Sequence, residues 1–292
     1  MSAIKTVAVV LFLLPAASGA AAIEVHGHRG ARARVAENTL PAFEEALRIG
    51  VDVLEFDLGV TKDGVVVVSH DQSLGPVACL APGGKSIEKP VPIRSLTLEE
   101  VRAYDCGSVP NPRFPRQRRV PGTKVPTLEE VFSLVERSTH PAARRVGFNI
   151  ETKIVPGLPD MSPAPEEFSR LVVEVVRRHG FSERTIVQSF DYRTLLAVKA
   201  ADPRIRTSML TSDNLMDMVG VARGAKADIL SPYYPWITRE TVDALHRAGV
   251  RVAPWTVNEP EAWEALLGYG VDAIITDDPE ALIAYLKTRR KP

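Results

Sequence analysis

Apolar runs of strand length alternate with helical patterns along most of the 292 residues. Eight such runs can be counted, most of them followed by a helical stretch. The length is close to the roughly 250 residues that eight strand–helix units need. These observations predict an α/β fold, a (β/α)8 TIM barrel. The strands are expected at Ile23–His28, Val51–Leu58, Val146–Glu151, Thr185–Ser189, Ile205–Leu210, Asp228–Ser231, Arg251–Trp255 and Ala273–Thr276. After the second strand, Thr61-Lys62-Asp63-Gly64 reads as a hairpin turn leading into a further extended run, Val65 to Ser69.

Helices fill the intervals. Thr39 is a cap for Leu40, Phe43, Ala46 and Leu47, which recur at helical spacing. Phe168, Leu171, Val172, Val175 and Val176 form another apolar face. Further helices are expected at Leu128–Arg137, Arg193–Ala201, Thr241–Ala248, Ala262–Leu267 and Pro279–Leu286. Asn258-Glu259-Pro260 and Asp278-Pro279 have the capping side chain and early proline of helix starts. A doubly wound open sheet would place a G-x-G-x-x-G turn after its first strand. The turn here is Gly27-His28-Arg29-Gly30-Ala31-Arg32, which lacks that pattern. Residues 72–126, rich in proline, glycine and arginine, interrupt the alternation. They read as an insertion after the second-strand hairpin that contributes a lid or pocket wall, and not as a linker.

Composition narrows the class. Hydrophobic residues make up 45% and charged residues 25%, which excludes disordered and collagen-like chains. Lys+Arg and Asp+Glu are 36 each, and a neutral chain is not the basic surface a nucleic acid requires. The first 22 residues read as a signal peptide: Lys5, the apolar run Val7 to Leu14, then a small-residue stretch with cleavage after Ala20 or Ala22. That apolar run falls well short of the roughly 20 residues that cross a bilayer, so no stable membrane insertion is expected. A single catalytic domain over 23–292 follows, working in the periplasm or outside the cell. Cys79 and Cys106 suit an oxidising compartment and are expected to form a disulfide.

The charges carry the chemistry. Residues i and i+2 of a strand share a face, so Glu55 and Asp57 point one way while Leu54, Phe56 and Leu58 point the other. Two carboxylates inside a barrel repel and lose hydration, and a divalent cation is the simplest remedy. Asn149, Glu151 and Lys153 repeat the arrangement on the third strand. Three hard oxygen donors favour one Ca2+ or Mg2+ over Zn2+. His28, at the end of the first strand, and His70, after the hairpin, can divide acid and base work near neutral pH. His26, His140, His179 and His246 read as structural. Arg29 and Lys153 beside the acids suit a bound phosphate. The eighth strand ends in Asp277-Asp278, unsuitable for phosphate, which places the anion near strands one to three. Trp255 ends the seventh strand, either as an apolar wall for substrate or as a cap on the core.

These residues resemble a known family. The stretch HRGARARVAENTLPAFEEALRIGVDVLEFDLGVTKDGVVVVSHD resembles the opening of glycerophosphodiester phosphodiesterases, and NIETK, PWTVN and IITDDP follow in the family's order. The resemblance spans Val25 to about Leu286. It implies that His28 and His70 are the acid–base pair and that Glu55, Asp57 and Glu151 hold the metal. It implies further that Arg29 and Lys153 bind phosphate and that Trp255 lies near the glycerol or alcohol. Glu37 and Asn38 of ENT, with Asn149, would support from behind. Ala36 replaces the proline that commonly precedes ENT, and QSLGPVACL lacks an arginine–threonine pattern common after HD, which bears on substrate choice. The expected reaction is metal-dependent hydrolysis of a small-molecule glycerophosphodiester to glycerol 3-phosphate and an alcohol. The alternatives are a phospholipase D- or sphingomyelinase D-like enzyme acting on lysolipids, and a non-catalytic phosphodiester-binding protein.

Overall fold

The computed structural model describes residues 23–289, so the expected signal peptide lies outside the described residues. Eight parallel strands form the barrel: β1 (Glu24–Gly27), β2 (Val53–Val60), β3 (Gly147–Thr152), β4 (Thr185–Ser189), β5 (Arg206–Thr211), β6 (Ile229–Pro232), β7 (Arg251–Val252) and β8 (Ala273–Thr276). Their spatial order is β7-β6-β5-β4-β3-β2-β1-β8, with Val66–Val68 added antiparallel to β2. The predicted barrel is the one observed. The seam between β7 and β8 is the loosest. Only Arg251 and Val252 of the predicted strand Arg251–Trp255 form a regular ladder, on β6. Pro254 has no N–H to give. The seam is closed instead by Asp272 N–H to Val252 O at 2.9 Å, Ile275 N–H to Pro254 O at 3.1 Å and Val257 N–H to Ile275 O at 2.9 Å.

The helix layer comprises α1 (Leu40–Ile49), α2 (Leu128–Arg137), α3 (Pro165–Arg178), α4 (Tyr192–Ala201), α5 (Met218–Gly224), α6 (Arg239–Arg247), α7 (Pro260–Tyr269) and α8 (Pro279–Arg289). Thr39 caps α1 through the Ala42 N–H, and Gly50, at φ 92°, ends it. Thr127 and Glu130 form a reciprocal capping box on α2. Periodicity did not predict α5, a short helix whose Gly220 and Gly224 weaken the pattern.

The odd and even residues of β2 part as the alternation requires. Phe56 packs edge-on against Phe43 of α1, with ring centroids 5.2 Å apart, and Phe148 of β3 meets Phe132 of α2 at 4.7 Å. Both rings are fully buried, and truncating either to alanine would cost about 3–5 kcal/mol. That outer packing fixes the strand rotation that turns Glu55 and Asp57 inward.

The segment after His70 folds over the C-terminal mouth of the barrel. It has a small core of its own, with Leu74, Ile87, Ile93, Val101 and Val125 packed on Val67. It is tied to the barrel by Lys62 N–H to Leu96 O at 2.7 Å, by Arg118 N–H to Arg34 O at 2.7 Å and by Gln117 Nε2 to Arg32 O at 2.6 Å. Cys79 and Cys106, 27 positions apart, are disulfide-bonded. A loop of that size restricts the unfolded chain by roughly 3 kcal/mol. We predict that the Cys79→Ala/Cys106→Ala variant loses about that much unfolding free energy in urea. A midpoint equal to wild type would show that the crosslink leaves stability unchanged.

Candidate active site

The site begins where β1 turns outward. Gly30 sits at φ 87°, and a Cβ there would press on the Ala42 backbone at 2.8 Å. Arg29 beside it is also left-handed, at φ 52°, as is Asn38 at φ 56°. Such backbone costs about 1–3 kcal/mol per non-glycine residue and persists only where the surroundings fix it. Here both residues serve the acids. The Arg29 N–H donates to Glu55 Oε2 at 2.9 Å, and Asn38 Nδ2 donates to Asp57 Oδ2 at 2.9 Å.

Register brings the acids together. In the β2–β3 ladder Asp57 is paired with Glu151, and Glu55 with Asn149. Glu55, Asp57 and Glu151 are buried, and one oxygen from each lies within 4.8 Å of the other two. Lys153 Nζ lies 2.7 Å from Glu151 Oε1 and 3.2 Å from Asp57 Oδ1. Arg29 is shared between Asp57 (Nε at 3.3 Å) and Glu37 (Nη1 at 2.5 Å). The protein cations therefore cannot neutralise all three acids. Burial, then the charge of Asp57, holds Glu55 well above the usual carboxylate range. Burial likewise raises Glu151 to about 7, against the pull of Lys153. Asp57 is the exception: burial opposes its charge, but Lys153 and Arg29 outweigh it and keep it well below that range. A trio of converging hard oxygens still short of positive charge fits a divalent cation.

Each imidazole has a carboxylate behind it. His28 Nδ1 lies 2.5 Å from Asp277 Oδ1, and its Nε2 is 4.0 Å from Glu55 Oε2. Burial lowers its pKa, and the Asp277 bond opposes that fall. Asn258 Nδ2 donates to the other Asp277 oxygen at 2.8 Å, and Arg32 Nη1 is 3.5 Å from Asp277 Oδ1. His70, more open, has Nδ1 at 2.8 Å from Asp71 Oδ1. With its Nδ1 so engaged, each ring has Nε2 free to exchange a proton. Both rings, the acid trio, Arg29 and Lys153 line one cavity of about 450 Å³. Trp255 lines it too, in an aromatic wall with Phe190 and Tyr233, each 5.7 Å from it between centroids. Its indole N–H is fixed on Ser231 O at 2.8 Å.

The supporting residues lie behind this surface. Glu37 holds Arg29 and Arg32. Asn149 Nδ2 donates to Gln188 Oε1 at 3.0 Å, and Gln188 Nε2 donates to Glu55 Oε1 at 2.6 Å. Sequence reasoning missed Gln188, Asp277, Asn258 and Arg32. Gln188 could have been found as a polar residue at an inward position of Thr185–Ser189. Asp277 gave only the signal that phosphate would avoid it, and the structure commits that carboxylate to His28. Of the histidines read as structural, His179 lies between Glu129 and Glu136 and His246 on Asp272.

Residues 28–281 match the Glycerophosphoryl diester phosphodiesterase family. The chain belongs to that family. Family members are phosphoric diester hydrolases, and this chain is an enzyme of that kind. It is 33% identical over 259 residues to a glycerophosphodiester phosphodiesterase of Caldanaerobacter subterraneus subsp. tengcongensis, covering 89% of this chain and 96% of that one. A Silicibacter pomeroyi protein provisionally named a glycerophosphoryl diester phosphodiesterase superposes with a TM-score of 0.85 at 31% identity, over 92% of this chain and 94% of that one. An Oleispira antarctica phosphodiesterase, solved in complex with the product sn-glycerol-3-phosphate, shares the fold with a TM-score of 0.74 at 23% identity, over 90% and 96% of the two chains.

The Asp277 contact sets a prediction for this family member. Asp277→Asn keeps the volume but loses the charge that orients His28. Steady-state kinetics should show kcat down by about 100-fold or more with an unchanged circular dichroism spectrum. A kcat within twofold of wild type would remove Asp277 from the site's working parts.

Proposed function

We propose that the chain hydrolyses glycerophosphodiesters to glycerol 3-phosphate and a free alcohol. Glu55, Asp57 and Glu151 hold one divalent ion, Ca2+ or Mg2+, and His28 and His70 are the acid–base pair. The observation that carries this is the joint arrangement in one cavity: three buried acids whose oxygens converge, facing two carboxylate-backed imidazoles.

The residues divide the work as follows. Arg29 and Lys153 offset the negative charge of the diester and orient it over the acids. When bound, the ion supplies Lewis-acid polarisation of the phosphoryl group. One imidazole takes a proton at Nε2 from the attacking hydroxyl, of water or of the neighbouring glycerol carbon, as the new P–O bond forms. The other gives a proton to the departing alcohol oxygen as its P–O bond breaks. In the glycerol case, water then opens the cyclic phosphate with the roles exchanged. Asp277 and Asp71 keep the two rings oriented, and Asn149 and Gln188 keep Glu55 in place.

A periplasmic or secreted location belongs to the same proposal. It is supported by the leader read at residues 1–22 and by the Cys79–Cys106 disulfide, which an oxidising compartment maintains. No described helix is long and apolar enough to cross a membrane. One catalytic unit over 23–292, with its insertion at about 72–126, completes the reading.

Release of glycerol 3-phosphate from a panel of glycerophosphodiesters should stop in chelator and return with Ca2+ or Mg2+ added separately. Activity that survives exhaustive chelation would refute the metal. His70→Ala should lower kcat by about 10²–10⁴-fold, and full turnover by that variant would refute its role.

A further inference from the structure

A second cavity, of about 330 Å³, opens beside the first under the insertion. The two share Arg29, Arg32, His70 and Arg113 on their common border. A phosphate held by Arg29 can therefore send an ester arm into either of these two cavities. The two directions differ in chemistry. The first cavity carries hydroxyls and amides from Tyr233, Tyr234, Thr256 and Gln188. The second is walled by Val68, Leu74, Val77, Ala78 and Val125, with the Cys79–Cys106 disulfide.

Most polar groups on that second wall are already engaged, Asn38 Oδ1 being a buried exception without a partner. Ser69 Oγ donates to Asp71 O at 2.8 Å, Gln117 Nε2 to Arg32 O at 2.6 Å, and Asn111 Oδ1 accepts from the Arg113 N–H at 3.0 Å. Its acids are engaged as well, Glu37 on Arg29 and Arg32 and Asp71 on His70. Arg113 is exposed and makes no ion pair among the described residues, so it adds a free guanidinium to a border whose exposed acid, Asp71, is paired with His70. The hydroxyl-bearing glycerol arm would find few free partners along the apolar wall, and a cationic arm would give up part of its hydration there and face the Arg113 guanidinium.

We propose that the insertion cavity is the subsite for the leaving alcohol, and that it selects an uncharged apolar group over a quaternary ammonium of the same shape. The inference rests on the hydrolytic reading above. It makes Arg113 and Val77 determinants of specificity, and neither belongs to the acid trio or the imidazole pair.

The test compares sn-glycero-3-phosphocholine with its carbon isostere, the 3,3-dimethylbutyl diester, which has the same shape without the charge. Wild type should favour the isostere by about tenfold or more in kcat/KM, carried mainly by KM. Arg113→Ala and Val77→Asp change exposed positions and should leave the thermal midpoint unaltered. Each should raise kcat/KM for the choline diester and shrink the ratio severalfold. A wild-type ratio of one or less, or a ratio unmoved in both variants, overturns the subsite while leaving the hydrolytic function standing. Choline release from lysophosphatidylcholine faster than turnover of the isostere also overturns it, since the cavity would then hold an acyl arm. Absence of turnover on every diester would overturn the function itself and the subsite with it.

Discussion

Negative charge held away from water is the constraint around which this molecule is arranged. Three carboxylates within 4.8 Å of one another repel strongly when water cannot screen them. The neighbourhood answers with Lys153, with Arg29 and with hydrogen bonds from Asn38, Gln188 and the Arg29 backbone. Two non-glycine residues accept left-handed backbone to deliver those bonds. The charge that still remains unbalanced is what makes the cluster a place for a dication and an anionic ester.

The same constraint explains why much of the site was legible in the sequence. Charged residues alternating with Leu54, Phe56 and Leu58 break the pattern that burial would otherwise impose, so they stand out. Neighbouring parallel strands then carry the trio into contact through register alone. The pairing of Asp277 with His28 was harder. They are 249 positions apart, and an acid after a strand is equally an ordinary helix start. Gln188 is neutral and leaves no mark in a charge count. Arg32 differs from the many surface arginines only in the partners the fold supplies, Glu37, Asp277 and the Phe114 ring at 5.0 Å.

The fold shows the same division. Long amphipathic helices and alternating strands were readable because burial writes a period into them. α5 was not, being short and glycine-containing. The seventh strand was foreseen as a run of five residues, but Pro254 limits its ladder and leaves closure to isolated hydrogen bonds. The insertion shows no period at all. Its shape comes from one crosslink, a few apolar contacts, a short antiparallel ladder of Ser73–Leu74 with Val91–Pro92, the capped turn Leu98–Val101, and backbone ties to the β1 loop and the β2 hairpin.

The position of that thin seam has a mechanical consequence. In the ring of strands, β7 stands diametrically across from β3, so the sparsest hydrogen bonding and the acid-bearing wall occupy opposite sides of one mouth. Local opening begins where the fewest bonds must break. The ring thus gathers its paired carboxylates on the six-position β2–β3 ladder and leaves the opposite edge of the mouth joined by single hydrogen bonds.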